Sequence, residues 1–209
     1  MRGALIVCSK VAKRVLPPCS WFLPWTFARD VLNDIPEDLI IREYENMWMP
    51  CTTKLLRVYV LIYDGVDAWY MMLIDIKRRR VYALDVARTT ETEQEKEMCM
   101  EKILLFIGKL FRKPRNIINF AGITLDFKEW EYFLYPEGLP SDIDSSETAV
   151  WVLAWIMHHS KFARGHFGYV GSPDLIRMKI AIGLASCAYN SLRRHVDSNA
   201  ETLWRKIKK

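Results

Sequence analysis

A chain of 209 residues, 51% of them hydrophobic and 26% charged, can bury one substantial core and lacks the composition of a disordered protein. Its net charge of +5 is what an ordinary solvated surface carries, so charge alone does not require a nucleic-acid or membrane partner. Five scattered cysteines, an odd number with no C-x-x-C pair, argue against a disulfide framework or zinc site and for a reducing compartment.

Residues 1–20 mix basic and apolar side chains without a period and read as an irregular segment. Their apolar run, 4–7, is too short for the core of a signal peptide. Pro17 and Pro18 break the chain. The stretch 20–32 then crowds Trp21, Phe22, Trp25 and Phe27 together, as a hydrophobic anchor onto the core. Residues 57–64 are β-branched and aromatic and predict a buried strand, ended by the turn pair Asp64–Gly65. A second strand over 68–76, a charged hairpin tip at 77–80 and a third strand over 81–85 complete a meander.

Thr92 and Glu95 have the spacing of a capping box, predicting a helix from Thr92 to about Phe111. Cys99, Ile103, Phe106 and Leu110 give it one apolar face, which reads as core rather than a cofactor site. Residues 130–135 alternate like a strand and feed a turn at Gly138–Pro140. Asp144, Ser145 and Ser146 are good N-cap residues for a helix starting near Ser146, and 150–157 are apolar all round. Such a helix is buried, yet far shorter than the roughly 20 residues that span a membrane. Pro173 opens a last long helix whose apolar face includes Ile176, Ile180, Leu184, Cys187 and Leu192. Residues 193–209 read as a basic, solvated tail with no specific claim on nucleic acid. His158 and His159 are adjacent on a helix and point about 100° apart, so they cannot chelate together with His166. No metal or cofactor is read from the sequence.

Three pieces occur in a telling order: Ala68-Trp69 opening a strand, Leu84-Asp85 closing the next, and Pro140 leading through a polar run into the buried helix. Together they resemble the ubiquitin-like-protein (SUMO-type) cysteine proteases, whose patterns are His-Trp, Leu-Asp and P-x-Q-x-N-x-x-D-C-G before an apolar helix. Residues 20–32 also look like a W-x-L-P-T-x-F-like segment of plant, transposon-associated members. The resemblance covers roughly 21–194. It implies an α+β, papain-like cysteine peptidase fold, with an antiparallel meander packed on a central buried helix. The domain would run over 21–195, between the N-terminal segment and a basic tail at 196–209. It further implies an intracellular protein, in nucleus or cytoplasm, with no cofactor and a SUMO- or ubiquitin-like protein as partner. The short buried helix, the modest charge and the solvated tail predict neither a membrane nor a nucleic-acid partner, and oligomeric state stays open.

The departures fall on the chemistry. The catalytic histidine position holds Ala68, the nucleophilic cysteine position Thr148, and the next glycine position Ala149. The acidic position before the nucleophile holds Glu147, and the oxyanion glutamine position holds Asp142. Asp85 keeps the orienting aspartate, and Trp69 keeps the tryptophan of the binding wall. The family's Trp-Leu-Asn-Asp-type helix, which helps form the substrate channel, finds no counterpart, and too little chain precedes Ala68 to hold it. The domain is therefore expected to be truncated at its N-terminus.

A threonine hydroxyl needs an adjacent base, and Ala68 supplies none. His158 and His159 lie about 15 Å along the helix from its start at 1.5 Å per residue. An ionised carboxylate at Asp142 donates no hydrogen bond and would repel an oxyanion. The expectation is a pseudo-protease, a cysteine-type peptidase by descent that acts only by binding. The alternatives are an active deSUMOylating-type isopeptidase with relocated catalytic residues and a non-functional transposon-derived remnant.

Overall fold

The protein is described from a computed structural model, which covers residues 19–50, 52, 54–65, 68–112, 127–134, 136–140, 145–157, 173–186 and 193–207. The aromatic anchor forms two elements. Strand β1 (Ser20–Leu23) is buried along its whole length. Pro24 then sets the N-cap of helix α1 (Trp25–Leu32), whose Phe27, Ala28 and Val31 face the core.

Helix α2 (Glu37–Trp48) follows at once, again behind a proline, Pro36. Glu37 and Asp38 in its first turn suit the positive end of the helix dipole, and Ile40, Tyr44 and Trp48 recur every fourth residue on its buried face. These two helices correct the sequence reading. The chain ahead of Ala68 has room for helical structure and contains it.

Strands β2 (Arg57–Tyr63), β3 (Trp69–Asp75) and β4 (Arg80–Leu84) form the expected meander. They pair antiparallel, Arg57 to Asp75 and Tyr63 to Trp69 on one side, Met71 to Leu84 and Asp75 to Arg80 on the other. The β3–β4 hairpin is held by Asp75, which is buried and accepts from the Arg78 amide at 3.0 Å and the Arg78 guanidinium at 3.1 Å. Helix α3 (Thr90–Arg112) comes next. Its cap is Thr89, whose hydroxyl accepts from the Thr92 amide at 3.3 Å. The predicted cap at Thr92 is thus one turn late: Thr92 is the residue being capped.

Strand β5 (Glu131–Phe133) adds to β4, and the sheet has the order β1-β2-β3-β4-β5. Both outer strands are parallel to their neighbours, Ser20 beside Arg57 and Arg80 beside Glu131. Parallel pairing needs a crossover, which α1 and α2 supply on one side and α3 on the other.

A 3₁₀ turn, Ser145–Glu147, leads into α4 (Thr148–Met157), the buried helix. Its Trp151, Val152, Trp155 and Ile156 are buried against the sheet side and the rest of the core. Helix α5 (Pro173–Ser186) packs on α4 through Ile176 and Ile180. Residues 193–207, read as a tail, instead form α6 (Arg193–Ile207), an exposed helix with Arg205 and Lys206 in its last turn, in contact with α5.

The buried phenols give the fold an alkaline limit. Burial pushes Tyr44 and Tyr59 up to about 12, and Tyr70 further in the same direction. In the unfolded chain these groups ionise near about 10. Their contribution is therefore intact below about pH 10 and is lost as pH rises through the folded values. The urea midpoint should fall between about pH 10 and pH 12, and Tyr59→Phe should fall less steeply. Identical profiles for the two proteins would contradict this.

Candidate functional site

The N-terminus of α4 meets the start of β3 at one side chain. Thr148 is fully buried, and its Oγ1 accepts a hydrogen bond from the Trp69 amide at 2.9 Å. Ala68 stands next to that amide and is itself buried, 6% exposed. Its backbone is fixed by a tight turn: the Ala68 amide donates to Asp64 Oδ1 at 3.0 Å, and the Asp64 amide donates to the Ala68 carbonyl at 3.1 Å. Gly65, with φ of +85°, makes that turn possible. Thr148 and Ala68, widely separated in sequence, thus share one corner.

Glu147 is held from α5, where Arg177 donates to its carboxylate and also to Asp174. Asp142 lies outside the described residues, as do His158, His159 and His166. Among the described residues the remaining histidine, His195, is exposed on α6.

Asp85 follows directly on β4 and is 3% exposed. Its Oδ2 accepts from Lys96 Nζ of α3 at 2.6 Å, and its Oδ1 accepts from the Ala87 amide at 3.0 Å. Lys96 also sits 5.4 Å over the Tyr70 ring. Lys96 lies among glutamates on what reads as a solvated helix face, so no pattern in the sequence points to it.

Trp69 is half-buried and belongs to an aromatic wall. Its ring lies 4.7 Å from Tyr63 and 6.2 Å, edge-on, from Trp25. The Arg29 guanidinium covers the Trp25 ring at 5.1 Å. Trp25 also opens onto a groove of about 580 Å³ between α1 and α2, lined by Arg29, Leu39, Tyr44 and Trp48 among others. Sequence reasoning missed this groove because it missed α2; the four-residue spacing of Ile40, Tyr44 and Trp48 was the available signal.

Among the described residues the corner has little chemistry. The Thr148 hydroxyl is enclosed and bonded to backbone, and position 68 carries no base. The described cysteines do not lie there: Cys19 and Cys99 are half-buried elsewhere, and burial followed by the nearby Glu95 pushes the Cys99 thiol up. A raised thiol is a poor nucleophile. Among the described residues no group of acidic, His and Cys side chains has metal-site geometry. No helix among them is long and apolar enough to cross a membrane.

The corner bond is a stability element with a clear test. Thr148→Val removes the acceptor and leaves the Trp69 N–H buried without it, which should cost about 1–3 kcal/mol. Thr148→Ser keeps the hydroxyl and should lose only about 1 kcal/mol, the value of one buried methyl. Urea unfolding measures both, and a valine variant as stable as the serine variant would contradict the assignment.

No protein-family model matches the chain, and no curated protein sequence does. Solved structures do match. The Ulp1 protease domain in complex with Smt3, the yeast orthologue of SUMO, superposes with a TM-score of 0.59 at 13% identity, over 88% of this chain and 76% of that one. SUMO protease Ulp1 with its catalytic cysteine oxidised to a sulfinic acid gives 0.59 at 13% identity, over 87% and 74%. The catalytic domain of the Chaetomium thermophilum Ulp1-like SUMO protease gives 0.57 at 13% identity, over 91% and 71%. The five-stranded sheet, the buried α4 and the flanking helices are therefore those of the papain-like α+β fold of Ulp1-like SUMO protease domains.

Proposed function

We propose that this protein is a pseudo-protease of the ubiquitin-like protease type, which binds a SUMO- or ubiquitin-like protein and does not hydrolyse it. The observation that carries the proposal is the corner itself. At the head of the buried helix, where this resemblance sets a cysteine, Thr148 is enclosed and its hydroxyl accepts from the Trp69 amide. Beside it, where a histidine is expected, stands Ala68. Ulp1, which shares the fold, works through a catalytic cysteine.

The magnitudes favour loss of turnover. A positioned general base contributes about 10²–10⁴-fold and an oxyanion donor about 10²–10³-fold. Members of a triad act as a unit, so loss of nucleophile and base together removes most of what such a site supplies. Asp142 in the oxyanion position has the wrong sign for the remaining task.

Binding does not need those groups. The complex of Ulp1 with Smt3 supports a ubiquitin-like partner for this fold. Trp69, Trp25 and Tyr63 give a half-buried aromatic wall of the kind that anchors protein interfaces, with the groove between α1 and α2 beside it. We assign the partner to this surface, and Trp69 to its centre.

Purified protein incubated with SUMO- and ubiquitin-type precursors and conjugates should release no product. Calorimetric titration should detect at least one of the mature modifiers, and Trp69→Ala should weaken that binding about tenfold or more while leaving the circular dichroism unchanged. Turnover abolished by Thr148→Val would overturn the loss of hydrolysis. Binding indifferent to Trp69→Ala would overturn the assigned surface.

A further inference from the structure

The Asp85 carboxylate is a buried negative charge, and among the described residues no histidine faces it. A carboxylate that is 3% exposed is stable only when paired and hydrogen-bonded. The strand register shows which groups can meet it. Leu84 pairs with Met71, so Asp85 stands one step further on, across from Tyr70. Side chains two apart on a strand share a face, which puts position 68 on the Tyr70 side of β3 and diagonal to Asp85. Diagonal neighbours lie about 7–8 Å apart, within reach of a long side chain. At position 68 the side chain is a methyl group and reaches nothing.

Lys96 comes from the other direction. It rises from the second turn of α3 with its side chain 13% exposed, reaches Asp85 Oδ2 at 2.6 Å and lies 5.4 Å over the Tyr70 ring. Its ammonium therefore occupies the same side of the sheet from which an imidazole at position 68 would approach the carboxylate. Arg88 and Glu93 line the remaining cavity there, which is about 20 Å³, room for a single water. Asp64 and Glu95 complete the charged surroundings of Tyr70.

We infer that Lys96 is the surrogate cation for the missing imidazole. It clips α3 to the end of β4, neutralises Asp85 and turns that residue from an orienter of histidine into a structural counter-ion. Asp85 is then no remnant of catalysis awaiting a histidine: restoring the imidazole alone does not recruit it, because Lys96 already holds it. The inference concerns the partner of Asp85 and stands whether or not a ubiquitin-like protein binds.

The test is made in the full chain by Ala68→His, with Lys96 intact and with Lys96→Met, following the introduced imidazole by NMR pH titration. With Lys96 intact it should titrate at or below the ordinary value of about 6.5. With Lys96→Met it should titrate at least about one unit higher, because the carboxylate becomes available to it. Melting gives a second readout. Lys96→Met alone should lower the midpoint by about 10 °C, the cost of leaving a buried charge unpaired in a chain of this size. Adding Ala68→His should restore part of that loss at pH 6, and the restoration should fade as pH rises through the raised imidazole pKa. A raised imidazole pKa with Lys96 intact would overturn the inference, as would an ordinary one with Lys96→Met. Should the Lys96→Met chains fail to fold, Ala68→His alone decides: an unraised imidazole upholds the role of Lys96 and a raised one refutes it.

Discussion

The hydrogen bond from the Trp69 amide to the Thr148 hydroxyl ties the two halves of the structure together. On one side is a sheet whose central strands are buried on both faces. On the other is a helix, apolar from Ala149 onward, buried at Trp151, Val152, Trp155 and Ile156 and half-buried at Val150, Leu153 and Met157. Such a helix is positioned by packing alone along most of its length, and packing tolerates small slides. A bond from its first residue to the first residue of β3 fixes its axial position. The Thr148 oxygen is engaged in holding the backbone at the start of β3.

Asp85 follows the same pattern. Both of its oxygens serve the fold, one through Lys96 and one through the Ala87 amide. Asp75 at the other end of the meander does comparable work for the β3–β4 hairpin through Arg78. The two buried carboxylates are chemically alike, and only the resemblance singles out Asp85. A buried aspartate that contacts a lysine is by itself weak support for catalysis. It also means that loss of activity or solubility on replacing Asp85 would report on stability first.

The parts of the fold written in local pattern were legible. Dense β-branched and aromatic runs between turn residues marked β2, β3 and β4, and the uncharged run after a polar cap marked α4. The parts that depend on distant partners were not. β1 is four residues long and is a strand only because β2 lies beside it in parallel. Helix α2 carried a readable signal, Ile40, Tyr44 and Trp48 behind Pro36 with acidic residues in the first turn, but its charged face masked it. The same holds for α6, where the charged run from Arg193 to Lys206 resembles a tail until it is set at helical spacing. At the candidate site, Ala68, Trp69 and Thr148 could be named from motif order, whereas Lys96 could not. It lies eleven residues from Asp85 on a different element, in a run of glutamates that marks it as solvated. Only the crossing of α3 over the sheet makes it a partner.

The central claim is that the scaffold binds without forming or breaking a covalent bond. A SUMO-type protein carrying a C-terminal vinyl sulfone, which traps a thiol nucleophile, tests both halves in one experiment. The account predicts a non-covalent complex in native mass spectrometry and, after denaturation, intact protein of unchanged mass. A covalent adduct one modifier heavier, mapped to any cysteine of this chain, would contradict it.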